Sequence, residues 1–178
     1  MEIPPTDILA KKKIDFQIEK EQIARILPEI KVLLKKVETS KSQVKDYIKN
    51  KVDFHPSPIQ KQTKKIGGAK YIIYVQKTQD MIEKAPKYWS QLVENLNKTN
   101  DYMRYLISKR IFNIQHERKE IIEKTFILEI DDLVRKMPRT DEEAFKRLEK
   151  LETVLDEIKV FFKSFIENYT YVLYSKIA

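Results

Sequence analysis

The chain has 178 residues, of which 42% are hydrophobic and 35% charged, with a net charge of +8, two glycines and no cysteine. That length suits one substantial domain, or a domain with a smaller appendage, and the mixture of charge with Ile, Leu, Val and Phe favours long amphipathic helices over disorder. Two adjacent glycines leave almost no residue suited to positive-φ turns, which argues against an all-β or doubly wound α/β domain, and the lack of cysteine excludes disulfides and thiolate metal sites.

The class read from this is all-α: a helical bundle with long helices and a C-terminal heptad-patterned helix. Residues Met1 to Ala10 hold two prolines and two acids where a signal peptide needs an apolar run. With no uncharged apolar stretch near the length of a membrane span, a cytoplasmic protein is expected. From about Asp15 to Val37 the residues Ile18, Ile23, Ile26, Leu27, Ile30, Leu33, Leu34 and Val37 recur at helical steps. Pro28 inside this stripe predicts a kink or break, because proline removes a hydrogen bond and clashes with the preceding turn. The polar step Glu38-Thr39-Ser40 offers a cap for a shorter helix carrying Val44, Tyr47, Ile48 and Val52.

Phe54 to Lys70 gathers two prolines, both glycines and four lysines, and reads as a basic loop or linker. Tyr71 to Val75 could form a strand, yet Met81 and Ile82 extend it as a helix ending before Pro86. From Lys87 to Pro138 no proline or glycine interrupts the helical spacing, so one very long helix, or two with a break near Gln115 to Arg118, is expected. Thr140-Asp141-Glu142-Glu143 is a capping box that starts a helix at Asp141. Leu148, Leu151, Leu155, Ile158, Phe162, Phe165, Tyr169 and Val172 then follow in heptad spacing, the mark of a helix laid lengthwise on another helix, in the same chain or in a different one. The division is a helical segment over 1–53, a loop over 54–70 and a main helical domain over 71–178.

Chemistry is sparse. His55 and His116 have no partners at triad or metal spacing, Gly67-Gly68 lacks the frame of a phosphate loop, and Asp131-Asp132 point apart on a helix. No catalytic or metal-ligating residue is assigned, and neither a cofactor nor a small-molecule substrate is expected. The charge is uneven: residues 1–65, 66–120 and 121–178 carry +6, +4 and −2. A polyanion would meet the first two-thirds, with Lys11, Lys12, Lys13, Lys35, Lys36, Lys61, Lys64, Lys65 and Lys70 as candidate phosphate contacts and Tyr71 and Tyr74 as candidate stacking groups. Lysine-rich helices also arise from genome composition or a hot habitat.

The run NKTNDYMRYLISKRIFNI from Asn97, followed by MPRTDEEAFKRLEKLETVLDEIKVFF from Met137, resembles the helical A domain of the GINS replication factors. The matching positions are Asn97, Lys98, Tyr105, Leu106, Arg110 and Ile114, then Thr140, Glu143, Phe145 and Leu148, with Met137 near the family's usual leucine. In that family a small β-rich domain is expected to follow, whereas Tyr169 to Ala178 are what follow the heptads in this sequence. The resemblance implies a non-catalytic scaffold that assembles with sister subunits and bridges the MCM helicase to a RecJ-like protein, which would place the chain at the nucleoid. It further implies Tyr102, Leu106, Arg110, Ile114, Leu155, Phe162 and Tyr169 as protein-interface residues. The function expected is therefore a helical scaffold or accessory subunit of a DNA replication or other nucleic-acid-processing complex. A direct nucleic-acid binder, such as the small helical subunit of an RNA-guided effector, and a homo-oligomeric coiled-coil protein stand as alternatives.

Overall fold

The computed structural model describes residues 5–113 and 116–174, with side chains described over 20–112 and 116–170. The first helix, α1 (Pro5–Lys49), is a single element: neither Pro28 nor the Glu38-Thr39-Ser40 step divides it. Pro28 sits on the exposed side, so the carbonyl that it leaves without a partner faces water, while Ile23, Ile26, Ile30, Leu33, Val37 and Val44 are buried on the other side. Proline inside a helix costs roughly 3 kcal/mol through the lost hydrogen bond and the ring clash, and several buried aliphatic side chains at about 1.5–3 kcal/mol each outweigh it. Thr39 returns its hydroxyl to the Lys35 carbonyl and Ser40 is buried against Thr99, so both hydroxyls are satisfied inside a continuing helix.

After α1 the chain turns through Lys51, whose φ of 48° is left-handed, and the Val52 amide closes on the Tyr47 carbonyl at 3.0 Å. Two antiparallel strands follow, β1 (Ile59–Ile66) and β2 (Ala69–Gln76). They correct the expectation of a linker running into a helix. The next helix, α2 (Gln79–Ile107), begins at Thr78, whose hydroxyl accepts from the Met81 amide, and continues through Pro86, again on the exposed side. It ends at Ser108, before the position where the break was expected. Short helices α3 (Arg110–Asn113) and α4 (His116–Glu120) come next. A π-helical stretch, Ile121–Ile127, then leads into α5 (Leu128–Val134).

The last helix, α6 (Asp141–Tyr174), starts where the capping box placed it. Thr140 Oγ1 accepts from the Glu143 amide at 3.1 Å, but the Glu143 carboxylate reaches back to the Arg139 amide at 3.0 Å, one residue beyond the usual partner. That bond, with the Arg147 guanidinium beside it, holds the Glu143 carboxyl below the ordinary carboxylate range.

Over the described residues the protein is thus predominantly helical, with one small two-stranded sheet. Helices α1, α2 and α6 bury their apolar faces in a common core. Lys41 pairs with Asp156 and Glu38 with Lys159, so rising numbers on α1 meet falling numbers on α6 and the two helices run antiparallel. Asn100, fully buried on α2, donates to the Ile127 carbonyl at 3.2 Å and to Asp131 at 2.8 Å, which ties α2 to the π-helical stretch and α5. Among the described residues no helix is long and apolar enough to cross a membrane.

Candidate functional site

The β1–β2 ribbon is unlike the rest of the chain because its side chains are largely left in water. Gly67 and Gly68 have φ of 58° and 82°, and Ile66 pairs with Ala69 across them, which makes a two-residue turn with both central residues left-handed. Gly-Gly supplies that conformation without Cβ strain and matches the twist of the flanking strands.

Register then decides which side chains share a face, because directly paired residues point the same way. Lys61 faces Tyr74, Thr63 faces Ile72 and Lys65 faces Lys70 on one side. On the other, Gln60 faces Val75, Gln62 faces Ile73 and Lys64 faces Tyr71. Each face therefore presents a lysine beside a tyrosine. Tyr74 is 72% exposed, and Tyr71, Ile72 and Ile66 are also exposed. Between Ile59 and Gln76 there are four lysines and no aspartate or glutamate.

The base of the ribbon is as buried as its blades are open. Phe54 is fully buried and meets Tyr47 and Trp89 edge-on, with ring centroids 5.7 and 5.5 Å away. The Lys77 amide donates to the Pro58 carbonyl at 2.9 Å. Its ammonium, also buried, donates to the His55 carbonyl at 2.8 Å and pairs with Asp53. The other Asp53 oxygen accepts from the His55 amide at 2.8 Å. Asp141, at the start of α6, lies 3.7 Å from His55 Nε2. Burial pushes the Asp141 carboxyl above the ordinary carboxylate range, and the neighbouring Asp53 charge adds to the rise, while His55 and Lys77 oppose it. The strands thus spring from a charged, closely held root.

Of the expected phosphate contacts, Lys61, Lys64, Lys65 and Lys70 come together on the ribbon and all are exposed. Lys11, Lys12 and Lys13 fall in the early turns of α1, with side chains outside the described residues. Tyr71 and Tyr74, the candidate stacking groups, are three residues apart on β2 and so lie on opposite faces of the strand. A sequence signal for this existed: Gly-Gly is a favoured pair for a two-residue hairpin turn, and the run after it, Tyr71 to Val75, is β-branched and aromatic throughout.

The expected protein-interface residues are scattered in environment. Leu106, Leu155 and Phe162 are fully buried in the chain's own core, so in this conformation they present no surface to a partner. Tyr102 is half-buried beside Tyr105, with the Lys36 ammonium 5.5 Å from its ring, and Arg110 is exposed on α3. Tyr169 stacks on Phe165 at 4.2 Å, with the Arg118 guanidinium over both rings. Ile114 lies outside the described residues. Among the described residues no group of three or more histidines and carboxylates is placed to hold a metal ion. No protein-family model, no curated protein and no solved structure matches the chain.

Proposed function

We propose that this chain is a non-catalytic accessory subunit of a nucleic-acid-processing assembly, and that it touches the nucleic acid through the β1–β2 ribbon. One observation carries the reading: an exposed ribbon with four lysines, no carboxylate and a tyrosine on each face. Ammonium groups without competing acids neutralise phosphates and release counterions, and tyrosine rings offer contact to bases and sugars. An isolated two-stranded hairpin is only marginally stable in water, so the exposed Ile66, Ile72, Tyr71 and Tyr74 gain from being covered by a ligand.

The helical body is the scaffold in this reading: a bundle of long helices, with the heptad line of α6 laid along α1. A replication setting with MCM helicase and a RecJ-like protein as partners is what the GINS resemblance implies, and it remains part of the proposal at that level.

A fluorescence anisotropy titration with labelled 30-nucleotide probes over a salt series tests the reading. Binding should weaken as salt rises, with log affinity on a duplex falling by about 0.9 per phosphate contact for each tenfold rise in salt. Replacing Lys61, Lys64, Lys65 and Lys70 together by Gln should flatten that slope and lower affinity at least about tenfold at low salt. A wild-type chain that binds no DNA or RNA at low salt ends the proposal.

A further inference from the structure

We infer that the ribbon's ligand is double-stranded DNA, entered through the major groove with one face of the ribbon turned to each phosphate wall. This rests on the nucleic-acid reading above and names its substrate class. Dimensions come first. Strands of eight residues extend roughly 26 Å, and a ribbon with side chains on both faces is about 10 Å thick. The major groove of B-form DNA, about 12 Å wide and 8.5 Å deep, admits a two-stranded ribbon. The major groove of an RNA duplex is too narrow for side chains to read.

The distribution of chemistry points the same way. A platform for single strands stacks successive bases on aromatic rings that share one face. This ribbon instead places Tyr74 with Lys61, Lys65 and Lys70 on one face and Tyr71 with Lys64 on the other. A ligand lying on a single face would leave a lysine and a tyrosine idle. Groove walls on both sides use them all. Lys65 and Lys70 are directly opposite each other beside the turn, where like charges repel in the free ribbon. Against the phosphate wall that this face meets, the repulsion is relieved. A second copy of the chain is a poorer occupant, because lysines along both strands oppose edge-to-edge pairing.

The test uses the full chain with a 20-base-pair DNA duplex, an RNA duplex of the same sequence and the single DNA strand. The DNA duplex should bind at least about tenfold tighter than either other probe. Guanine N7 atoms, which line the major groove, should become protected from dimethyl sulfate. Lys64→Gln with Tyr71→Ala, and separately Lys61→Gln with Tyr74→Ala, should each weaken duplex binding about tenfold, and all four positions are exposed, so both variants should keep the circular dichroism of the parent. Equal or tighter binding of the single strand or the RNA duplex overturns the inference, as does binding that only one face's variant affects or that leaves guanine N7 reactive. In those outcomes lysine-dependent binding keeps the broader reading alive. Failure to bind all three probes removes both.

Discussion

Lys77, the first residue after β2, is buried and paired with Asp53, six residues before β1, so a single ion pair clasps the two ends of the ribbon. Removing one partner of a buried pair leaves an uncompensated charge, which costs about 3–5 kcal/mol. Lys77→Met should therefore lower stability by about that much in urea unfolding, since Asp53 would be left facing Asp141. The double variant Asp53→Asn with Lys77→Met should recover more than half of the loss. If the double variant is as unstable as the single one, Lys77 acts through its bond to the His55 carbonyl and not through the ion pair.

Asp141 makes the root sensitive to pH. Its carboxyl is raised in the folded protein, so folding is not penalised below the ordinary carboxylate range, where both states are protonated. The penalty grows as pH rises through the raised folded value. Asp141→Asn should then match the parent in acid and exceed its stability at neutral pH. Urea midpoints at about pH 2.5 and pH 7 measure this, and a parent that gains on the variant as pH rises would contradict the burial account.

Backbone conformation offers two opposite substitutions. Gly68 has open space around its Cβ position but a φ of 82°, so Gly68→Val carries a conformational penalty of roughly 1–2 kcal/mol with no clash. Amide exchange over residues 63–72 should quicken while helical circular dichroism stays unchanged. Lys51 holds a left-handed φ of 48° with an ordinary side chain, and Lys51→Gly should stabilise the chain by about 0.5–1 kcal/mol. A raised melting temperature is the readout.

Phe162 is fully buried on α6, with Phe161 and Phe112 centroids 5.1 and 6.4 Å away. Phe162→Ala should cost about 3–5 kcal/mol, and Leu155→Asp should unfold the chain. Val160, two positions earlier and 66% exposed, should accept Asp with a change within about 0.5 kcal/mol. Comparable losses at 160 and 162 would mean that this face of α6 is covered by a partner.

Helical class, the start of α6 at Thr140 and the concentration of lysine around Gly67 could all be read in the sequence, because capping, three-and-four spacing and glycine scarcity act within a few residues of one another. The prolines were misleading for a reason of scale. A local cost of roughly 3 kcal/mol at Pro28 or Pro86 is outweighed only when the opposite side of the helix finds partners on α2 and α6, or around Trp89. Nothing near either proline announces those partners.

The candidate site divides along the same line. Sequence by itself determined that residues 59–76 are basic and free of acids, since that is composition. Tertiary structure decided that Tyr71 to Val75 pairs as a strand and that its tyrosines part to opposite faces, because a short apolar run satisfies either period and only cross-strand pairing chooses between them. The root at Asp53, Lys77 and Asp141 was likewise beyond reach, as it joins charges far apart in the chain whose effect on one another exists only once the fold has buried them together.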